Sequence, residues 1–223
     1  MKYASVNPYN NQLIKEFSLD AFPDLSIFQK AFQSWKKNSV EERGEYLKKI
    51  AALLEKNKEQ YAELITLEMG KPLREAEYEL NKTLTAFDYY ITNTPKFLQN
   101  EEVKSNASKS YISFEPLGII FSIMPWNFPF WQVFRFAIPT LISGNVTILK
   151  HAPSVPQCAL AIQNLFTEAG VPENIFRNYF LSNEDAGKLI AHPLIAGISF
   201  TGSDATGSVL AEQAGKNIKK CVM

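Results

Sequence analysis

The sequence predicts an α/β fold, a helical N-terminal part followed by a parallel sheet. Three observations carry that expectation. From Leu25 to about Thr92, apolar residues recur at helical spacing. From Tyr111 onward, short β-branched runs alternate with helical patterns, as βαβ units do. The apolar run Leu117 to Met124 breaks at Pro125-Trp126-Asn127-Phe128-Pro129, as a buried strand ending in a stiff turn would.

The elements follow in order. Residues 1–24 are polar and turn-rich, suited to an N-terminal arm or hairpin. Ile27, Phe28, Ala31, Phe32 and Trp35 share one face of a first helix. Ser39-Val40-Glu41-Glu42 reads as a capping box opening a second, which turns Leu47, Ile50, Leu53 and Leu54 inward. Tyr61, Leu64, Ile65 and Leu67 mark a third, stopped by Gly70 and Pro72. A long helix runs from about Leu73 to Tyr90, and a polar stretch with a turn at 106–110 follows. Strands are expected at Tyr111–Phe114, Gly118–Met124, Asn145–Lys150, Ile175–Leu181, Gly197–Phe200 and Lys219–Met223. Between them lie helices at Trp131–Ile142, Val155–Ala169, Asp185–Ala191 and Asp204–Gly215.

Composition excludes several function classes. Acidic and basic residues balance at 23 each, so no field favours nucleic acid or an anionic membrane. The N-terminus has no apolar core of a signal peptide, and no apolar run reaches membrane-span length. Cytoplasm is the default location. Two cysteines without a CxxC argue against a disulfide scaffold and against a metal site. Cys158 and Cys221 both read as small buried hydrophobes, and His151 and His192 as structural. A strand pattern running to Met223 suggests a fragment of a longer parent.

Three segments could carry chemistry. Asn127 offers two N–H donors on a short arm at a strand end, the edge where open α/β sheets bind ligands. Held by its prolines as a buried amide, it suits a donor to developing oxygen charge; the bland alternative is a capped turn. Phe200-Thr201-Gly202-Ser203 ends a strand and opens a helix, a place for phosphate or simply a Ser-capped turn. Gly202 and Gly207 have P-loop spacing, but Ser208-Val209 replaces the required Lys-Ser/Thr, and no GxGxxG is present. Lys150 at a strand end could hold a ribose or phosphate oxygen, or be a solvated charge. Glu168, Glu184 and Asp185 read as solvated or capping.

Together these pieces resemble the aldehyde dehydrogenase family. The matching segments are Leu67-Glu68-Met69-Gly70-Lys71-Pro72 with Glu75-Ala76, Pro116-Leu117-Gly118, Pro125 to Pro129, Leu149-Lys150 with Ala152-Pro153, Ala169 to Pro172, and Phe200 to Ser203 with Gly207. Their order covers nearly the whole chain, and Lys150 to Pro153 and Lys219 to Val222 look most like the succinate-semialdehyde dehydrogenase branch. The resemblance implies N-terminal helices plus a Rossmann-like parallel sheet, truncated before a catalytic domain. The implied division is 1–103 arm and helices, 104–115 an oligomerisation hairpin segment and 116–223 the cofactor-binding sheet.

It also implies roles. Asn127 would donate to the oxyanion formed when a cysteine attacks an aldehyde. Lys150 would hold the adenosine ribose of NAD or NADP, and Phe200, Thr201, Gly202, Ser203 and Thr206 the pyrophosphate side. Ile123, Met124, Pro125 and Trp126 would line the cofactor groove. The family's nucleophilic cysteine and general-base glutamate match no position here, so the chain alone is expected to be inactive. Pro153 stands where an acidic residue often follows the cofactor lysine, which leaves NAD versus NADP open. The implied partner is a small aldehyde, with a homo-oligomer in the full-length family. The alternative is a truncated, non-catalytic protein that binds nucleotide or a partner subunit.

Overall fold

The structure, a computed structural model, describes residues 2–223. An antiparallel hairpin opens it, β1 (Tyr3–Asn7) against β2 (Gln12–Phe17). Four helices follow: α1 (Leu25–Trp35), α2 (Val40–Lys56), α3 (Lys58–Met69) and α4 (Leu73–Phe97). The capping box of α2 is present, with Ser39 Oγ accepting from Glu42 N–H and Glu42 accepting from Ser39 N–H. Gly70 ends α3 at φ 79°, a left-handed conformation that suits glycine.

Helix α4 outruns its expected end near Tyr90 and continues through Pro95 to Phe97. Pro95 removes only one donor, to the carbonyl of Ile91, from the last turns, a loss the end of a long helix tolerates. A short hairpin follows, β3 (Glu101–Glu102) with β4 (Tyr111–Ile112). The strand expected at Tyr111–Phe114 is thus two residues long and has its partner at 101–102.

The second half builds one parallel sheet from β5 (Ile119–Met124), β6 (Val146–His151), β7 (Phe176–Asn178), β8 (Ile195–Phe200) and β9 (Lys220–Val222). Their spatial order is β7-β6-β5-β8-β9. Connections run through α5 (Trp131–Ile142), α6 (Pro156–Glu168), α7 (Asn183–Ala191) and α8 (Asp204–Lys216). With right-handed crossovers, that order puts α5 and α6 on one face and α7 and α8 on the other. Helices α2, α3 and α4 pack outside α5 and α6, while α7 packs on α8.

One apolar core runs from Leu25 through the sheet to Ala214, with Phe87, Phe121, Phe130 and Phe134 fully buried in it. Strands β5 and β6 are buried along nearly their whole length, whereas β9 is an exposed edge strand. Cys221 lies in β9 and is exposed, which corrects the expectation of a buried hydrophobe; among the described residues no further strand pairs with that edge of the sheet. Cys158, in α6, is buried as expected. Among the described residues no helix is long and apolar enough to cross a membrane.

Candidate functional site

The three segments singled out in the sequence meet at one edge of the sheet. Ile123 of β5 lies opposite Lys150 of β6 on one side and Phe200 of β8 on the other. Because the strands are parallel, all three C-terminal ends share a rim. The strand order reverses between β5 and β8, and open α/β sheets bind ligands at such a reversal. Past the strand ends, Thr201 N–H still donates to Ile123 O at 3.1 Å, keeping the two turns together.

The turn after β5 carries Pro125, Trp126 and Asn127. Trp126, Asn127 and Phe128 are exposed, so Asn127 is not the buried amide the sequence suggested. The reason lies in the backbone, which is tied down just beyond them and leaves their side chains facing outward. Phe130 and Trp131 N–H both donate to Glu79 Oε1, at 2.9 and 3.0 Å. This carboxylate caps α5, whose own N-cap position supplies no side-chain bond. Lys71 pairs with the other oxygen of Glu79, in a bridge nearly closed to solvent, and sits 3.7 Å from the centre of the Phe128 ring.

His151 closes the same turn from β6. Its Nδ1 accepts from Ala152 N–H at 2.8 Å, which makes Nε2 the donor to Pro129 O at 2.9 Å. Complete burial holds this imidazole neutral, with its pKa pushed down to about 4. The far end of α5 is held too: Trp35 Nε1 donates to Leu141 O and Arg43 Nε to Ile142 O.

Lys150 is buried, not the solvated strand-end charge of the bland alternative, and its ammonium stands 5.6 Å from the Tyr3 ring centre. Desolvation lowers its pKa to about 8, so it is cationic at neutral pH yet sensitive to alkali. Lys150, Ile123 and Thr206 line one groove of about 380 Å³ between α7 and α8. Its walls are Ala186 and Gly187 on one side and Val209 and Leu210 on the other, with Asn183 and Gln213 as further polar groups.

The turn after β8 opens α8. Ser203 is the N-cap, its Oγ accepting from Thr206 N–H and reaching Thr206 Oγ1 at 3.1 Å. Phe200, Thr201, Gly202 and Ser203 line a neighbouring recess of about 410 Å³ with Arg135 and Gly207. A Cβ on Gly202 would fall 2.3 Å from the Phe200 ring, so this glycine makes room for Phe200, a role separate from the approach of a ligand. Met124, Phe200 and Thr201 also border a cleft of about 390 Å³ between α5 and the β8–β9 face of the sheet.

Reading the sequence missed Glu68 and Glu79 as capping groups and Gln213 as a groove residue. Glu68 does for α6 what Glu79 does for α5, accepting from Gln157 and Cys158 N–H at 2.8 Å each. Burial pushes its carboxyl pKa up. Glu68 stands at helical spacing from Tyr61 and Ile65, and a carboxylate on that apolar face was the available signal. Ser182, by contrast, caps α7 with Asp185, the capping role expected of that carboxylate.

The aldehyde dehydrogenase family model matches residues 2–223. A probable NADP(+)-dependent succinate-semialdehyde dehydrogenase of Synechocystis sp. is 41% identical over 227 residues, covering all of this chain and 50% of the relative. The NAD(P)+ succinate semialdehyde dehydrogenase Sad of Escherichia coli is 34% identical, covering 98% of this chain and 48% of its own length. The solved succinic semialdehyde dehydrogenase of Streptococcus pyogenes in complex with NADP+ superposes with a TM-score of 0.92 at 32% identity, over 98% of this chain and 49% of that one. The chain thus spans about half the length of the relatives it matches, and it belongs to the aldehyde dehydrogenase family.

Proposed function

We propose that this chain supplies the dinucleotide groove and one oxygen-stabilising amide of an NADP- or NAD-dependent aldehyde dehydrogenase acting on a small semialdehyde. One observation carries the reading. Lys150 is a buried cation at a strand end, lining the same groove as Ile123 and Thr206 beside the N-terminus of α8. A cation at the strand end and a helix N-terminus both favour anions, and the two stand at one rim as a dinucleotide requires.

The residues fit a dinucleotide. The first turn of α8, with Ser203 and Thr206, offers N–H and O–H donors to a pyrophosphate. Lys150 would donate to ribose or phosphate oxygens, Ile123 forms the floor, Pro125 and Trp126 would flank it at the rim, and Met124 faces the neighbouring cleft beside α5. When bound, the cofactor supplies a hydride acceptor. The exposed Asn127 would donate to an aldehyde oxygen, on a turn whose backbone is fixed by three hydrogen bonds, two to Glu79 and one from His151. The succinate-semialdehyde preference rests on the relatives' activities alone.

Neither cysteine is presented as a nucleophile. Cys158 is sealed in the core with its thiol pKa pushed well up by burial, and Cys221 faces Ile198 part-way down the sheet. The isolated chain therefore binds dinucleotide without turning over aldehyde. Calorimetric titration of the purified chain with NADP and NAD tests the reading. Saturable binding is expected near pH 7, weakening roughly tenfold as pH rises well past 8 and Lys150 loses its charge. Absence of heat with both dinucleotides, from a chain shown to be folded, overturns it.

A further inference from the structure

The groove between α7 and α8 contains an acceptor that nothing in the fold uses. Gln213 Oε1 is buried and, among the described residues, receives no hydrogen bond. A buried amide oxygen without a donor costs stability, so a ligand that supplies one gains by it. Gln213 lines the groove that holds Lys150 and Thr206. Its oxygen reaches toward Gly187 on the opposite wall, where an added Cβ would lie 3.7 Å away.

Helix geometry turns this into a ruler. Thr206, Val209, Leu210 and Gln213 stand at i, i+3, i+4 and i+7, one face of α8. The face runs from the anion-favouring N-terminal turn, over an apolar middle, to the amide about 10 Å further along the axis. A nucleoside with its phosphates at that N-terminal turn sets its ribose beside Lys150. Its flat base then lies between Ala186–Gly187 and Val209–Leu210. The edge of the base arrives at Gln213. The absence of a side chain at Gly187 keeps the slot open there.

We propose that Gln213 reads the exocyclic amino group of the base, selecting a 6-amino purine over its 6-oxo counterpart. The proposal rests on the dinucleotide reading of the groove and deepens it by naming the residue that recognises the base. An amino group donates to Oε1 as it stands; a 6-oxo group meets it with an acceptor, and a bond is regained only if the amide turns its Nε2 inward or the base shifts to present N1–H. A site built to bond a donor discriminates against the analogue lacking it, because its own polar group stays unpaired.

The test compares NADP with nicotinamide hypoxanthine dinucleotide phosphate, titrated into the chain and into Gln213→Met and Gln213→Ala variants. The parent chain should bind NADP roughly tenfold more tightly than the hypoxanthine form. Both variants should bind the two within about twofold of each other, mainly through weaker NADP binding, with melting profiles close to the parent's. Equal affinity of the parent chain for both ligands overturns the proposal, as does a preference unchanged in both variants; either leaves the dinucleotide reading standing. Failure of the folded parent to bind either ligand removes both together.

Discussion

Two βα turns flank the reversal point of the sheet, and they are stabilised in opposite ways. The turn after β8 is self-sufficient: Ser203 caps its own helix, and Gly202 yields space to Phe200 two residues away. The turn after β5 has no cap of its own. Its backbone is held by Glu79 from α4 and His151 from β6, and Lys71 from the α3–α4 connection pairs with Glu79 and lies over the Phe128 ring. Both ends of α5 are secured by residues distant in sequence. The contrast separates two needs. A turn that caps the helix it opens can be local. One that presents exposed side chains such as Trp126 and Asn127 gets no rigidity from their burial, so the backbone must be fixed from behind.

The sharpest way to break the comparison is to remove Glu79. Glu79→Ala leaves Lys71 as an unpaired, nearly buried cation and two N–H groups of α5 without an acceptor. The expected loss is about 3–5 kcal/mol in denaturant unfolding. The double variant with Lys71→Met should recover part of it, because the stranded charge is gone. A loss under about 1 kcal/mol for Glu79→Ala would show that the turn is held by something else.

Acid should strain the same turn next. His151 has a folded pKa near 4, below its usual 6.5, so the unfolded chain binds the extra proton between those values. Its contribution to stability is complete above about pH 6.5 and is lost as pH falls toward 4, by about 3 kcal/mol. Glu68, whose carboxyl is raised by burial, works the other way, since its protonated form favours the fold as pH falls. The difference between parent and His151→Phe melting curves across pH 4–7 isolates the histidine; parallel curves would sink this assignment.

The smallest expected effect sharpens the local side of the comparison. Ser203→Ala should cost about 1 kcal/mol, the usual worth of an N-cap, and should not propagate to the turn after β5. Amide exchange of Phe130 and Trp131 should stay at parent rates. Faster exchange there would show that the two turns are coupled through the Thr201–Ile123 hydrogen bond.

The same divide explains what was legible in the sequence. Local chemistry could be read: the Ser39 capping box, the Gly70 stop, the β5–α5–β6 alternation and the Ser203 cap are short-range patterns whose physics lies in adjacent residues. The rim position of residues 123–127, 150 and 200–203 followed from strand alternation and the resemblance together. Partners separated by tens of positions were hidden. Glu79 lies among surface-like charges of α4, and only the folded chain shows it 51 residues from the N–H it accepts. The burial of Lys150 could not be foreseen either, since the arm that brings Tyr3 over it starts at the other end of the chain. Cys221 was misjudged because a strand pattern does not say whether the strand lies inside the sheet or at its border.

The outward-facing indole of Trp126 has a practical consequence. Of the chain's three tryptophans, Trp35 is buried and Trp131 partly buried under the Lys82 ammonium, 4.3 Å from its ring centre, while Trp126 is 52% exposed at the rim. Its emission should lie to the red of the other two and change when the rim is occupied, whereas theirs tracks unfolding. The protein thus carries a native fluorophore at the proposed site and an internal reference in its core.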